Sequence, residues 1–319
     1  MSLLSRVKDE TENLLDSLTG TPLAQISLAQ SIERCQKVVA AYDYSFYWGS
    51  LLLPWPKRAA MWAVYAWFRQ KDEQIDRAGS RIAKQQLLQR WFQQLEAMFS
   101  CGQPAITTDI ALLDAIERYQ LTIEPFKDML RGQQMSLDLD RYQTWEEVRL
   151  YCYLVGGTVG LVSASILSDS PEPDSCEALV TFGIAMQITN ILQDVGADAR
   201  QGKIYLSLED LKRFRYSVKD IFRAVTNREW TALISYEIQR ARALYKQVEV
   251  GLEKLPKDVL YPMWAAWALY QQPLKAIERD GYNTFGKRPV IPLLWKVNAL
   301  IWAWWRSHRR SSAPSSAAP

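Results

Sequence analysis

The sequence predicts an all-α protein, a single-domain helical bundle. Three observations carry that prediction. Nearly every long segment spaces its apolar residues by three or four, as one face of a helix does, and no two segments alternate as paired strands do. Fourteen glycines and fourteen prolines in 319 residues are few for a strand-and-turn architecture. Apolar residues make up 48% of the chain and charged residues 23%, the balance of a globular core with a solvated surface.

In chain order, the periodicity predicts helices near 25–42, 57–76, 82–98, 108–116 and 123–136, then 145–166, 175–198, 207–213, 217–225, 227–253 and 256–279. The breaks "LPWPKR", "SCGQPAITTD", "SDSPEPDS" and "EKLPKD" each hold turn-forming residues. None is long enough to be a flexible linker, and no repeat of fixed period occurs. Residues 1–306 therefore read as one helical domain. The end of the chain, "SSAPSSAAP", is of low complexity, so 307–319 are expected to form a disordered tail.

Composition excludes several functions. A net charge of +3 is too small to imply nucleic-acid binding, and no basic run is interleaved with aromatics inside the core. Cys35, Cys101, Cys152 and Cys176 are scattered, which reads as reduced, buried thiols of a cytoplasmic protein. The start "MSLLSRVKDETENLL" carries acids too early for a targeting peptide, and no run of eighteen uncharged apolar residues suggests a membrane span. The single histidine, His308, removes Glu-x-x-His di-iron sites and histidine-based zinc sites. There is no Walker motif, and "GGTVG" at 156–160 lacks the strand–turn–helix context of a dinucleotide fingerprint. Thirteen tryptophans and fifteen tyrosines suggest a large aromatic-lined interior.

Two short stretches carry the chemistry: "DEQID" at 72–76 and "DVGAD" at 194–198. Carboxylates four residues apart sit one turn above the other on one helix face, where like charges repel unless a cation lies between them. Met61, Tyr65, Phe68, Asp72 and Asp76 follow one stripe; its apolar members face a core, so the two aspartates aim inward. On the second helix Gln187, Asn190, Asp194 and Asp198 share a face, with Ile184, Ile188, Ile191 and Val195 around the others. Either pair alone is better explained by a cap, a frayed end or a solvated face. Both together, at helix ends rather than N-caps, point to bound cations, because buried carboxylates without compensation are very costly. Magnesium suits oxygen ligands and bridges carboxylates to phosphates, which suggests a metal site that holds a diphosphate.

The chain resembles the squalene/phytoene synthase family, the head-to-head isoprenoid synthases, and within it the cyanobacterial-type, phytoene-forming branch. The matching pieces appear in family order: "SFYWGSLLLP" at 45–54, "WAVYAWFRQKDEQID" at 62–76, "YCYLVGGTVGL" at 151–161, "QITNILQDVGADARQGKIYL" at 187–206 and "YQQPLKAIERDGYNTFGKRPVIP" at 270–292. The likeness spans about 30–300. It implies an isoprenoid-synthase bundle with a central cavity, joining two prenyl diphosphates with Mg²⁺, or Mn²⁺ in its place. Geranylgeranyl diphosphate is the favoured substrate and phytoene the favoured product, by way of prephytoene diphosphate. No NADPH is expected, since the reaction ends in proton loss. A farnesyl-using relative, making presqualene diphosphate, dehydrosqualene or squalene, is the near alternative. A non-catalytic scaffold is the distant one, although such a protein would have no need of the aspartates.

By the same resemblance, Asp72, Asp76, Asp194 and Asp198 hold the metal, with Asn190 and Gln187 supporting the second site. Arg69 pairs with departing diphosphate, its plainer alternative being a salt bridge to Glu73 or Asp72. Lys203 and either Lys287 or Arg288 are weaker candidates for that task. Tyr151, Tyr205 and Tyr270 match tyrosines of the reaction cavity, where ring faces stabilise carbocations. Ser45 and Phe46 match a helix that contacts substrate. Gly156, Gly157 and Gly160 serve either close helix approach or room for a polyprenyl chain. Ser136, Gln193 and Gly157 depart from the family pattern, where an aspartate, an arginine and an alanine are usual.

The stretch "LLWKVNALIWAWWRSHRR" sets Trp302, Trp304 and Trp305 beside Arg306, Arg309 and Arg310. Aromatic and basic residues together suit the boundary of an anionic bilayer, and the apolar part is too short to cross a ~30 Å hydrocarbon core. Peripheral membrane contact and a final helix packed on the bundle are both open. The resemblance also allows a pathway partner, a phytoene desaturase.

Overall fold

The computed structural model describes residues 22–309, and of Tyr44, Ser45 and Asp76 the backbone only. Arg310 and the rest of the expected tail beyond it lie outside the described residues. After a 3₁₀ turn at Leu23–Gln25 come α1 (Leu28–Tyr42), α2 (Tyr44–Ser50), α3 (Lys57–Arg77), α4 (Arg81–Cys101), α5 (Thr107–Tyr119), α6 (Glu124–Asp138) and α7 (Trp145–Cys152). A π-helical turn, Tyr153–Gly157, leads into α8 (Thr158–Leu167). There follow α9 (Pro173–Arg200), α10 (Leu208–Arg213), α11 (Val218–Phe222), α12 (Arg228–Leu252), α13 (Lys257–Tyr270), α14 (Gln272–Arg279) and α15 (Leu293–Arg309). No strand occurs among the described residues; an isolated parallel bridge joins Arg141 to Ile204. The protein is all-α.

Local chemistry sets the ends of these helices. Ser27, Ser80, Thr144, Ser207, Ser217 and Asn227 each accept a hydrogen bond from a backbone N–H in the first turn of the helix they start. Asp43 does the same for α2 through the Phe46 N–H at 2.8 Å, and so starts a seven-residue helix that periodicity missed. The stretch expected as one helix at 256–279 is two, α13 and α14, because Pro273 brings no N–H to the first turn of α14. The last helix runs to Arg309, past the boundary expected at 306.

Packing divides the described residues into two compact units, 22–134 with Ser165–Ser170, and Met135–Ala164 with 171–309. In the first, α1, α3 and α5 pack together around Val38, Val39, Ala63, Ala66, Leu112 and Ala115. Phe126 closes that core, its ring 5.3 Å from Trp67 and stacked 5.6 Å from Phe68. In the second, α9 lies against α12 and against the π-helical turn. There a Cβ at Gly156 would collide with the Gly183 carbonyl, and one at Gly183 with the Gly156 carbonyl, so the two backbones touch only because both residues are glycine. For Gly156, close helix approach is what the structure displays.

One sequence expectation needs correction. Cys35 and Cys152 are buried, but Cys176 is half-buried and Cys101 is exposed. Two segments, Trp145–Leu167 and Pro173–Arg200, are long and apolar enough to cross a membrane by composition. Neither is an unbroken run of eighteen uncharged apolar residues: glycine, serine and threonine interrupt the first, and Gln187, Asn190 and Asp194 interrupt the second as well. Of each, 61% of the most apolar window is buried within the protein, as in a core helix.

Candidate functional site

Helix α3 orients the first aspartate pair. Met61 and Phe68 are buried, and Tyr65 stacks on Phe46 with ring centroids 4.9 Å apart. Burial pushes the Tyr65 hydroxyl pKa well above its usual value, with further upward contributions from Asp43 and Asp72. Two turns beyond Tyr65, Asp72 is half-buried, and its Oδ1 accepts a hydrogen bond from Gln133 Nε2 at 2.5 Å. The Asp76 and Ser45 side chains lie outside what is described. Arg69 makes the plainer of its two expected contacts, with Nη2 donating to Glu73 at 3.1 Å. Its guanidinium also lies over the Tyr42 ring at 4.6 Å, and its buried Nε has no hydrogen-bond partner. A buried donor left unmatched is costly and suits an anionic guest.

Helix α9 orients the second pair. Ile184, Ile188, Ile191 and Val195 are buried, while Gln187, Asn190, Asp194 and Asp198 are half-buried along one stripe. Arg288 meets Asp194 in fork-to-fork geometry, with Nε donating to Oδ1 at 2.6 Å and Nη2 donating to Oδ2. Of the two basic residues left open by the sequence, Arg288 is the one brought to Asp194. Lys287 lines the same cleft of about 490 Å³, with Gln193, Asp194, Ala197 and Arg200. Lys203 is drawn elsewhere: its Nζ donates to the Ser136 carbonyl and, at 3.2 Å, to the Leu139 carbonyl, and it pairs with Asp140 at 2.8 Å. That is the work of a helix C-cap.

Tyr151 and Tyr205 are brought together, stacked with centroids 4.8 Å apart. A third ring, Tyr142, lies 5.5 Å from the first and 5.6 Å from the second. Ser136 Oγ is 2.8 Å from the Tyr205 hydroxyl. Tyr142 is 1% exposed and its hydroxyl has no partner, so burial drives its pKa strongly upward. Sequence reasoning missed Tyr142, which follows Arg141 in an irregular connection where no periodicity marks it. Gln133 was also missed, though it stands three residues before Ser136. Tyr270 stands apart from this cluster, its ring 6.2 Å from Phe182 and its carbonyl accepting from the Tyr245 hydroxyl at 3.2 Å.

The donor set fits a hard divalent cation in type: carboxylates at half-buried positions, with both Asp194 oxygens turned to one cationic group. Among the described residues no three Asp, Glu, His or Cys side chains converge on one point. Mg²⁺ held by one or two carboxylates keeps its other coordination positions for water and ligand oxygens.

The all-α frame is that of an isoprenoid synthase. A sequence profile of squalene/phytoene synthase matches residues 39–295. A 15-cis-phytoene synthase of Synechocystis sp. is 42% identical over 88% of this chain and 86% of its own length. The chloroplastic phytoene synthase of Daucus carota is 39% identical over 88% of this chain and 71% of its own. Among solved structures, a dehydrosqualene synthase in complex with ligand superposes with a TM-score of 0.82, at 28% identity, over 89% of this chain and 98% of the other. A squalene synthase from Alicyclobacillus acidocaldarius shares the fold, with a TM-score of 0.73 at 24% identity, over 82% of this chain and 99% of the other. The chain belongs to the squalene/phytoene synthase family.

Proposed function

We propose that this prenyltransferase catalyses the phytoene synthase reaction, joining two geranylgeranyl diphosphates through prephytoene diphosphate with release of diphosphate. The 42% identity to the Synechocystis relative over 88% of the chain carries the reading, and both aspartate pairs lie within that stretch of family sequence. Asp72 and Asp76 on α3, and Asp194 and Asp198 on α9, hold Mg²⁺ against substrate diphosphates, with Asn190 and Gln187 beside the second pair. A divalent metal bound there would supply charge neutralisation for the leaving diphosphate.

The chain's own residues do the rest. Arg69 has a buried Nε without a partner and takes a diphosphate oxygen as it leaves. Arg288 and Lys287 line the α9 cleft and serve the same charge. The faces of Tyr151 and Tyr205 stabilise the allylic and cyclopropylcarbinyl cations, with Tyr142 stacked on Tyr205 and tilted against Tyr151. Proton loss ends the sequence, so no reductant enters. Chelation of divalent metal should abolish turnover and added Mg²⁺ or Mn²⁺ should restore it; turnover that survives exhaustive chelation would overturn the metal assignment.

The same reading places α15 at a membrane surface. Leu293, Leu294, Val297, Ile301, Trp304 and Trp305 are exposed along that helix, while Ala299 and Ala303 are buried. Trp302 stacks 5.1 Å from Trp267, which pins the opposite face to α13. An apolar stripe ending in Arg309 suits an anionic bilayer, and the C40 hydrocarbon product has to pass into lipid.

A further inference from the structure

The connection from Tyr282 to Arg288 is laid along α9 beside Asp194, and four contacts hold it there. The indole Nε1 of Trp230 on α12 donates to the Tyr282 carbonyl at 2.9 Å. The Phe285 ring stacks on that indole with centroids 4.5 Å apart and planes 30° apart. The Gly196 N–H donates to the Thr284 carbonyl at 3.1 Å, and Arg200 Nη1 donates to the Phe285 carbonyl at 3.4 Å. Trp230 is fully buried and also meets the Tyr216 ring, tilted by 40° with its centroid 4.9 Å away.

Gly196 makes the seat for this strap. It stands between the two aspartates of "DVGAD", and a Cβ there would lie 2.5 Å from the Phe285 carbonyl oxygen and 2.6 Å from its Cα. Backbone cannot yield as a flexible side chain does, so any other residue lifts the strap off the helix. Three residues beyond Phe285, the strap delivers Arg288 to both oxygens of Asp194. Arg288 itself is 62% exposed. An ion pair that open to water contributes too little to order an irregular segment whose backbone freedom must be given up. The order has to come from the buried Trp230 anchor and the glycine seat.

We propose that Trp230, Phe285 and Gly196 are positioning residues that act through Arg288, setting its guanidinium beside the Asp194 carboxylate so that it meets a diphosphate at that metal site. The inference rests on the reading of Arg288 as a diphosphate donor, and the two fail separately. The probe is inorganic pyrophosphate with Mg²⁺, its affinity measured by calorimetry on the full chain, beside kcat, KM and melting temperature. Arg288→Ala should weaken pyrophosphate binding and raise KM. Phe285→Ala should do the same, on the order of tenfold, and Phe285→Tyr, which keeps the stack, should recover most of that loss. Gly196→Ala, which pushes on the Phe285 backbone and leaves the Trp230 and Phe285 side chains chemically intact, should repeat the Phe285→Ala effect. In the Arg288→Ala background, Phe285→Ala should cost nothing further in affinity, because its effect runs through the missing side chain. If Phe285→Ala lowers the melting temperature yet leaves pyrophosphate affinity unchanged while Arg288→Ala weakens it, the clamp is merely structural and the proposal falls. Full additivity of the two losses overturns it as well. If Arg288→Ala binds pyrophosphate as tightly as the parent, the assignment of Arg288 fails first and takes the clamp with it.

Discussion

Ser136 Oγ and the Tyr205 hydroxyl lie 2.8 Å apart, at the edge of a stack in which Tyr205 also meets Tyr151 at 4.8 Å and Tyr142 at 5.6 Å. The family pattern resembled by this chain usually has an aspartate where Ser136 stands. A serine keeps a hydrogen bond to the tyrosine without adding charge beside the rings. Ser136→Ala removes a hydrogen bond worth about 1 kcal/mol of stability, so the melting temperature should fall by about 2 °C, and kcat should fall because Tyr205 loses the partner that orients its hydroxyl. Steady-state kinetics beside a thermal melt check this. An unaltered kcat would mean that the orientation of Tyr205 is set by stacking alone.

Glu237 sets a pH dependence of stability. Burial raises its pKa to about 7 from the usual 4.5, against the opposing pull of Arg240, whose Nη1 donates to both carboxylate oxygens at 2.7 and 2.8 Å. Between pH ~4.5 and ~7 the folded protein therefore holds a proton that the unfolded chain releases, and stability falls as pH rises through that window. Neighbouring Asp210 is shifted the other way: burial would raise its pKa, but Arg240 and Ser207 hold it below the usual value. Its contribution is present above the ordinary aspartate range and is lost only in stronger acid. Denaturant unfolding should therefore give higher stability at pH 5.5 than at pH 7.5 from the Glu237 contribution, and Glu237→Gln should flatten that slope. A Glu237→Gln variant with the parent's slope would remove Glu237 as the source.

Much of this was legible from spacing, and the rest depended on contacts that spacing does not encode. The polar stripe of Gln187, Asn190, Asp194 and Asp198 could be drawn because one helix face repeats every three to four residues, and the surrounding isoleucines are indeed buried. Nothing in that period told Lys287 from Arg288, since both stand in an irregular strap whose path is set by Gly196 and Trp230, far away in sequence. Tyr142 was invisible for the same reason, and Lys203 was read as a ligand candidate when its ammonium turns to the carbonyls of Ser136 and Leu139. The break between α13 and α14 could have been found, because Pro273 is plain in the sequence.

Helix α15 should bind anionic vesicles through its exposed stripe. Ile301 and Trp304 are 61% and 53% exposed, so Ile301→Glu with Trp304→Ser changes that face without disturbing the buried Ala299 and Ala303. Co-sedimentation with vesicles containing phosphatidylserine should be strong for the parent chain and weak for the double variant, with equal melting temperatures. Equal sedimentation of both proteins would remove α15 from membrane contact.

The two aspartate pairs should be separately indispensable. Asp72→Asn keeps a group able to accept from Gln133, and Asp194→Asn keeps the shape beside Arg288, so both variants should fold. On the proposed reading each removes a charged metal ligand, and kcat should fall by about two to three orders of magnitude. Circular dichroism with single-turnover product formation checks both halves of this expectation. Full activity in either folded variant would strike that pair from the site.

The most direct measurement is the product formed by the purified chain from geranylgeranyl diphosphate with Mg²⁺ and no NADPH, set beside the product from farnesyl diphosphate under the same conditions. The account predicts phytoene from the C20 substrate, with prephytoene diphosphate as its precursor and slower turnover of the C15 substrate. Condensation of farnesyl diphosphate alone, or no hydrocarbon until NADPH is supplied, would contradict it.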